Sequence, residues 1–65
     1  MIGKQDWLEM AEQIRLMEEK MASTYKTLAA TVEDPRLRNT LTTLYHEEKT
    51  HVAVVERMKR LIDRG

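Results

Sequence analysis

The stretch "VEDPRL", Val32–Leu37, decides the fold because it places the only proline of the chain between two long helical patterns. Asp34 is a natural N-cap, and Pro35 suits the first position of a helix. Proline also discourages the preceding helix from continuing. The sequence therefore predicts a turn at 33–34. A connection this short predicts an antiparallel two-helix hairpin.

Apolar residues recur at steps of three and four on both sides of the turn, which is the period of a helix. Helix 1 is predicted over about 6–32, with Asp6 as N-cap and Glu9 completing a capping box. Helix 2 is predicted over about 35–63 and closes at Gly65. The apolar positions are Trp7, Ala11, Ile14, Met21, Tyr25, Leu28 and Val32, then Leu37, Leu41, Leu44, Val55, Met58 and Ile62.

Length and composition narrow the class of protein. The chain has 65 residues, so we expect 1–65 to form one all-α domain. Eleven basic and eleven acidic side chains cancel, which argues against a nucleic-acid partner. The sequence has no cysteine, no membrane-length apolar run and no signal-peptide pattern, so we expect a cytoplasmic protein without a thiolate metal site.

A single hairpin of this length buries only one seam between its helices. The buried area is too small to offset the entropy lost on ordering the chain. We therefore expect a homo-oligomer, most simply a dimer that forms a four-helix bundle. The sequence is also compatible with oligomers larger than a dimer, because Leu16, Val54 and Leu61 lie off the main stripe and could support further contacts.

Two polar residues interrupt the apolar stripe of helix 2. The stripe runs through positions 37, 41, 44, 48, 51, 55, 58 and 62. Six of these positions are apolar, and the other two are Glu48 and His51. They are spaced i, i+3, so they are predicted to project together into the core. His46 and Glu47 lie off the stripe and are predicted to be surface residues.

Helix 1 holds a matching exception, Glu18, whose helical neighbours are apolar, whereas Glu19 is predicted to face water. Glu18, Glu48 and His51 lie at similar distances from the turn, so they should meet at one level. A two-fold dimer would then bring four carboxylates and two imidazoles together.

Crowded buried carboxylates repel one another unless cations neutralise them. A mixed Glu and His set suits iron or manganese, with zinc as the usual competitor. A Glu from each of two helices and Glu-x-x-His from each of the other two is the di-iron arrangement of ferritin-like bundles. The residues therefore predict Glu18, Glu48 and His51 as metal ligands. The alternative is a polar pair bonded across a helical interface without metal.

The same residues resemble the rubrerythrin-like branch of the ferritin-like superfamily, and most closely the encapsulated ferritins. The resemblance rests on "MEEKMASTY" and "EEKTH", joined through "EDPRL", and covers roughly 17–60. In that family the ferroxidase ligands are a Glu seven residues before a Tyr and a Glu-x-x-His on the next helix. Here these are Glu18 before Tyr25, and Glu48 with His51.

The resemblance implies a di-iron ferroxidase that oxidises Fe(II) for iron storage or detoxification, with catalytic ligands from two subunits. It also implies an encapsulin shell as partner and as the compartment that holds the protein. Tyr25 is either core packing or a hydrogen-bond donor to a ligand carboxylate. Met17 and Lys20 depart from the family, which tends to carry acidic residues of a metal-uptake site at these positions.

Two other functions fit the sequence. One is a di-manganese or di-iron peroxidase-like protein, which turnover with peroxide rather than oxygen would distinguish. The other is a non-enzymatic helical dimerisation module, which predicts that added metal leaves the stability of the fold unchanged.

Overall fold

The computed structural model describes residues 2–65, which form two helices, α1 (Lys4–Thr31) and α2 (Pro35–Arg64). Lys4 Nζ lies 3.8 Å from Asp63 Oδ1, so the start of α1 meets the end of α2 and the helices run antiparallel. The hairpin is a rod of 49 × 14 × 14 Å. The predicted helical hairpin is confirmed, and residues 2–65 contain no strand.

The turn forms close to where the sequence predicts it, but α1 ends at Thr31 and Val32 is its C-cap in extended conformation. Asp34 Oδ1 accepts hydrogen bonds from the backbone N–H groups of Arg36 at 2.8 Å and Leu37 at 3.3 Å. Pro35 occupies the first position of α2. Arg38 Nη2 also donates to the carbonyl oxygen of Val32 at 3.0 Å, which joins the two ends of the turn.

The start of α1 differs from the prediction. The N-cap is Gly3, in extended backbone conformation, and not Asp6. Asp6 lies inside the first turn, where its Oδ2 accepts from the Gly3 N–H at 3.1 Å. Glu9 accepts from Gln5 Nε2 at 3.4 Å instead of completing a capping box. An acidic side chain can serve as N-cap or as the third helical residue, and the sequence pattern did not separate these roles.

The apolar stripe of α2 divides into two lines with seven-residue spacing. Positions 41, 48, 55 and 62 pack against α1, and the first three are buried. Positions 37, 44, 51 and 58 lie at the edge of the seam, and all except Leu44 are exposed. The lines lie about 60° apart around the helix, so only one of them can occupy the seam. The seam buries few residues, namely Ala11, Ala22, Leu41, Val55 and one charged residue, Glu48.

A broad apolar surface, called here the open face, remains uncovered along the hairpin. Its side chains are each 40–64% exposed and are Trp7, Met10, Ile14, Met17, Met21, Leu28, Leu37, Val54, Met58 and Leu61. Helical spacing puts them on the side of the seam where Glu18 meets His51. An uncovered apolar surface of this extent is typical of an interaction site.

The opposite side of the seam, called here the ionic edge, carries paired charges. Lys59 Nζ donates to Glu12 Oε2 at 2.7 Å, and Arg15 Nη2 donates to Glu12 Oε1 at 2.5 Å. Arg15 Nε also lies 3.5 Å from Glu56 Oε1. The hairpin therefore has one side whose charges are satisfied internally and one side that is apolar. Across residues 2–65, neither helix has the length and apolar character needed to cross a membrane.

Candidate metal centre

The centre lies midway along both helices because the turn sets their register. Glu18 lies 13 residues before Thr31, the last residue of α1, and Glu48 lies 13 residues after Pro35, the first of α2. His51 follows Glu48 by one helical turn. Equal helix lengths on the two sides of the turn thus place the three side chains at one level.

The structure brings the three predicted ligands together into one group, called here the Glu–Glu–His cluster. One ligand atom from each of Glu18, Glu48 and His51 lies within 4.8 Å of the others. Nδ1 of His51 is 2.9 Å from Oε2 of Glu18 and 3.8 Å from Oε2 of Glu48. Helices α1 and α2 of one chain therefore supply two carboxylates and one imidazole to a common point.

The three residues differ in burial. Glu48 is 8% exposed, and the side chain of Glu18 is 21% exposed. The side chain of His51 is 57% exposed. The single hairpin therefore buries Glu48 and leaves His51 exposed. The predicted burial of His51 stays a prediction, because the core of a four-helix bundle requires a second chain. His51 belongs to the line of α2 that turns towards the open face, so the cluster spans the seam and that face.

One oxygen of the buried Glu48 carboxylate forms no hydrogen bond. Its Oε2 is inaccessible to solvent and has no hydrogen-bond partner among the described residues. Hydrogen bonding with the Glu18 carboxylate and burial both raise the pKa of Glu48. Hydrogen bonding with Glu48, helped by His51, lowers the pKa of Glu18. One proton held between two carboxyl groups reduces their repulsion, and a bound cation would do the same.

Three residues beside the cluster were predicted to lie on the surface, and two of them do. His46 and Glu47 are exposed, as predicted, and the His46 ring packs edge-on against Tyr45 with centroids 5.2 Å apart. Glu19, predicted to face water, is half-buried at the ionic edge, where Lys49 Nζ lies 3.4 Å from its Oε2.

Tyr25 is half-buried and lies two helical turns, about 10 Å, from Glu18 along α1. It lines a shallow depression with Lys20, Met21 and Thr24. None of the hydrogen bonds formed within residues 2–65 joins the Tyr25 hydroxyl to the cluster. The predicted bond from Tyr25 to a ligand carboxylate is therefore not formed within the single chain.

The ion pairs of the ionic edge were not predicted from the sequence. Arg15 and Lys59 hold the pKa of Glu12 at about 2, since both donate hydrogen bonds to its carboxylate. These two cations are thus engaged by Glu12 and Glu56 rather than by the cluster. The opposite charges at 12 and 15 and at 56 and 59, each spaced i, i+3, were the available signal.

Comparison with protein-family models, with curated proteins and with solved structures gives no match to this chain. Carboxylate oxygens and an imidazole nitrogen are ligands that divalent first-row metals accept. A cation there would neutralise Glu48, whose Oε2 has no hydrogen-bond partner among the described residues. The residues present fit a divalent metal ion.

Proposed function

We propose that this protein is a ferroxidase that oxidises Fe(II) at a two-metal centre formed between two copies of the chain. The observation that carries the proposal is the convergence of Glu18, Glu48 and His51 within 4.8 Å around a buried carboxylate oxygen that forms no hydrogen bond within the described residues. Exposed acidic groups often cluster without binding a metal. A carboxylate that is nine-tenths buried is costly without a compensating charge, and this distinguishes the cluster.

The exposed area of the chain supports a second copy as the partner. A folded monomer of 7.7 kDa is expected to expose roughly 4,300 Å². This chain exposes 5156 Å². The excess of roughly 800 Å² is similar to the area that each partner buries in a standard interface. The open face supplies apolar surface for that interface, and the resulting assembly is a four-helix bundle of the ferritin-like type.

The position of His51 supports a site shared by the two copies. His51 is exposed on the open face while it contacts Glu18 in the seam. Joining two open faces at the level of the cluster gives four carboxylates and two imidazoles. That set equals the ligand set of the di-iron carboxylate bundles, in which two Glu and two Glu-x-x-His come from four helices.

In this proposal Fe(II) is the substrate, and each ion gives one electron to oxygen or peroxide. Glu18, Glu48 and His51 hold the ions and offset their charge. The joined open faces exclude water from the cluster, which strengthens the electrostatic attraction between cations and carboxylates. The resemblance to encapsulated ferritins adds a location inside an encapsulin shell, in the cytoplasm, to the proposal.

The test is the rate at which ferric absorbance appears after aerobic addition of Fe(II). The wild-type chain is expected to exceed buffer, and Glu18→Ala and His51→Ala are expected to lose the difference. Glu47→Ala and His46→Ala are matched controls, because they remove the same residue types from exposed positions outside the cluster. Equal rates for the wild type and the two cluster variants would refute the proposal.

A metal-independent dimerisation module is the second candidate, and the open face is the observation that favours it. It requires self-association but no effect of metal on stability. A mass that corresponds to a dimer, combined with a melting temperature unchanged by Fe(II) or Mn(II), would select this candidate.

A further inference from the structure

Methionines are concentrated on the open face. The sequence has five methionines, and four of them lie on the open face. Their exposed fractions are 40% for Met10, 64% for Met17, 40% for Met21 and 42% for Met58. Exposed thioethers on a free chain are open to oxidants in solution. The surface that is most apolar is therefore also the surface that oxidation can alter most.

These methionines flank the Glu–Glu–His cluster on both helices. Met17 precedes Glu18 directly, and Met21 follows Glu18 by about one turn. Met58 follows His51 by seven residues, on the same line of α2. Any partner that completes the cluster from the open face must pack against these thioether groups.

The relevant reaction is oxidation of a thioether by a hydroperoxide. The sulfur receives one oxygen atom as the O–O bond breaks, and the peroxide leaves as water or an alcohol. Sulfur loses two electrons and the peroxide gains them. The product, methionine sulfoxide, is polar, and it disrupts methionine-rich interfaces until a reductase restores the thioether.

We propose that the open face is a peroxide-sensitive assembly surface for a second copy of this chain, with Met10, Met17, Met21 and Met58 as the modified residues. The inference rests on the dimer of the proposed function and adds its regulation. The excess exposed area and the continuity of His51 with the open face identify the second copy as the occupant.

Oxidation acts on the free chain, because joining two open faces removes these side chains from solvent. Each sulfoxide carries a strong hydrogen-bond acceptor into an apolar interface, where it has no donor. Burying one unsatisfied polar group is expected to weaken association roughly tenfold. Peroxide encountered before assembly thus disfavours formation of the two-metal centre, whereas after assembly the joined faces shield the thioethers from peroxide in bulk solvent.

The experiment dilutes the metal-free chain until sedimentation shows a monomer and exposes it to hydrogen peroxide. The peroxide is then removed, Zn(II) is added, and mass is measured by sedimentation over a concentration series. Zn(II) is the probe because it has no redox chemistry of its own. Untreated protein is expected to dimerise, and oxidised protein is expected to do so with a dissociation constant raised roughly tenfold or more.

A variant in which Met10, Met17, Met21 and Met58 are all replaced by Leu is the matched control. It keeps Met1 and the apolar character of the face, so it is expected to dimerise equally before and after peroxide. Equal assembly of oxidised and untreated wild type would overturn the inference. Equal sensitivity of the fourfold variant would also overturn it.

A second pair of variants tests the surface without peroxide. Met17→Gln introduces a polar side chain on the open face and is expected to weaken dimerisation roughly tenfold. Leu16→Gln is the control, because Leu16 is 54% exposed but lies outside the open face, about 100° around α1 from Met17. Equal effects of the two substitutions would overturn the inference.

The outcomes separate this inference from the ferroxidase proposal. If untreated protein stays monomeric with Zn(II), the dimer that both proposals require does not form and both proposals are refuted. A peroxide-sensitive dimer that does not accelerate Fe(II) oxidation would refute the ferroxidase and leave the assembly surface standing.

Discussion

His51 Nδ1 lies 2.9 Å from Glu18 Oε2, although 33 residues separate them in the chain. This contact joins the seam to the open face, since Glu18 is largely covered by the hairpin and His51 is not. A cation that replaces the contact would hold both helices and would be accessible to a second chain. The centre is therefore expected to stabilise the hairpin and its assembly together.

Divalent metal is expected to raise the melting temperature, because it binds only where the three ligands are assembled. At a metal concentration about 100-fold above the dissociation constant, the gain is roughly 2.7 kcal/mol. His51→Ala is expected to remove the rise in a thermal melt with Mn(II) or Zn(II), and His46→Ala is expected to keep it. An equal rise in both variants would place the metal elsewhere.

Glu48 is expected to make the metal-free fold less stable as pH rises. Its folded pKa is raised above the ordinary value of 4.5, so the folded state binds the proton more tightly than the unfolded state does. Stability is thus retained below pH 4.5 and lost as pH rises through the raised pKa. Urea titrations across this range are expected to show the fall in wild type and a flatter profile in Glu48→Gln. Parallel profiles would contradict the assignment.

Glu12 is expected to produce the opposite dependence at acidic pH. Its pKa is about 2 in the folded chain against an ordinary value of 4.5, because Arg15 and Lys59 donate to its carboxylate. Stability is present above pH 4.5 and is lost as pH falls towards 2. Glu12→Gln should flatten this acidic limb in urea titrations. Glu9→Gln is the control, because Glu9 accepts from Gln5 rather than from a cation, and an equal effect there would argue against the ionic edge.

Ala22 is expected to resist enlargement, because it is 2% exposed and lies between the helices. Ala22→Leu should lower the free energy of unfolding by about 1–3 kcal/mol through overpacking. Ala30→Leu makes the same change at an exposed position of α1 and should stay within about 0.5 kcal/mol of wild type. Chemical denaturation of the metal-free variants compares them directly, and similar losses would mean that the seam is not tightly packed at Ala22.

Asp34 is expected to contribute about 1 kcal/mol through its two capping hydrogen bonds. Asp34→Ala removes both acceptors and should lower the urea midpoint. Glu33→Ala, one residue earlier and exposed, should leave the midpoint nearly unchanged. A smaller loss at Asp34 than at Glu33 would show that the cap does not hold the turn.

The fold could be predicted from the sequence because its signals are local. Asp34 and Pro35 mark the start of α2, and the apolar period marks both helices. The start of α1 was predicted less well, since Asp6 and Glu9 have the spacing of a capping box without forming one. Local patterns of this kind identify the residues whose side chains can cap a helix. The backbone conformation around them determines which residue is the N-cap.

The sequence predicted which three residues form the cluster, but it did not predict how exposed each of them is in the hairpin. Glu48 and His51 share an alternating stripe, and that stripe contains both the line that packs on α1 and the line at the exposed edge of the seam. The apolar pattern of one chain does not distinguish residues that pack within the hairpin from residues that would pack against another chain. Tertiary packing made that division, which is why His51 is exposed beside a buried Glu48.

The equal spacing of Glu18 and Glu48 from the turn has a consequence for how such a sequence can diverge. Deleting or inserting one residue between Thr31 and Glu18 would rotate Glu18 by about 100° and move it about 1.5 Å along α1. Gaps in an alignment of descendants should therefore fall in the three residues between the helices or at the chain ends. Within either helix only insertions or deletions of seven residues would keep the side chains on the same face. Such a change in one helix would require an equal change in the other helix.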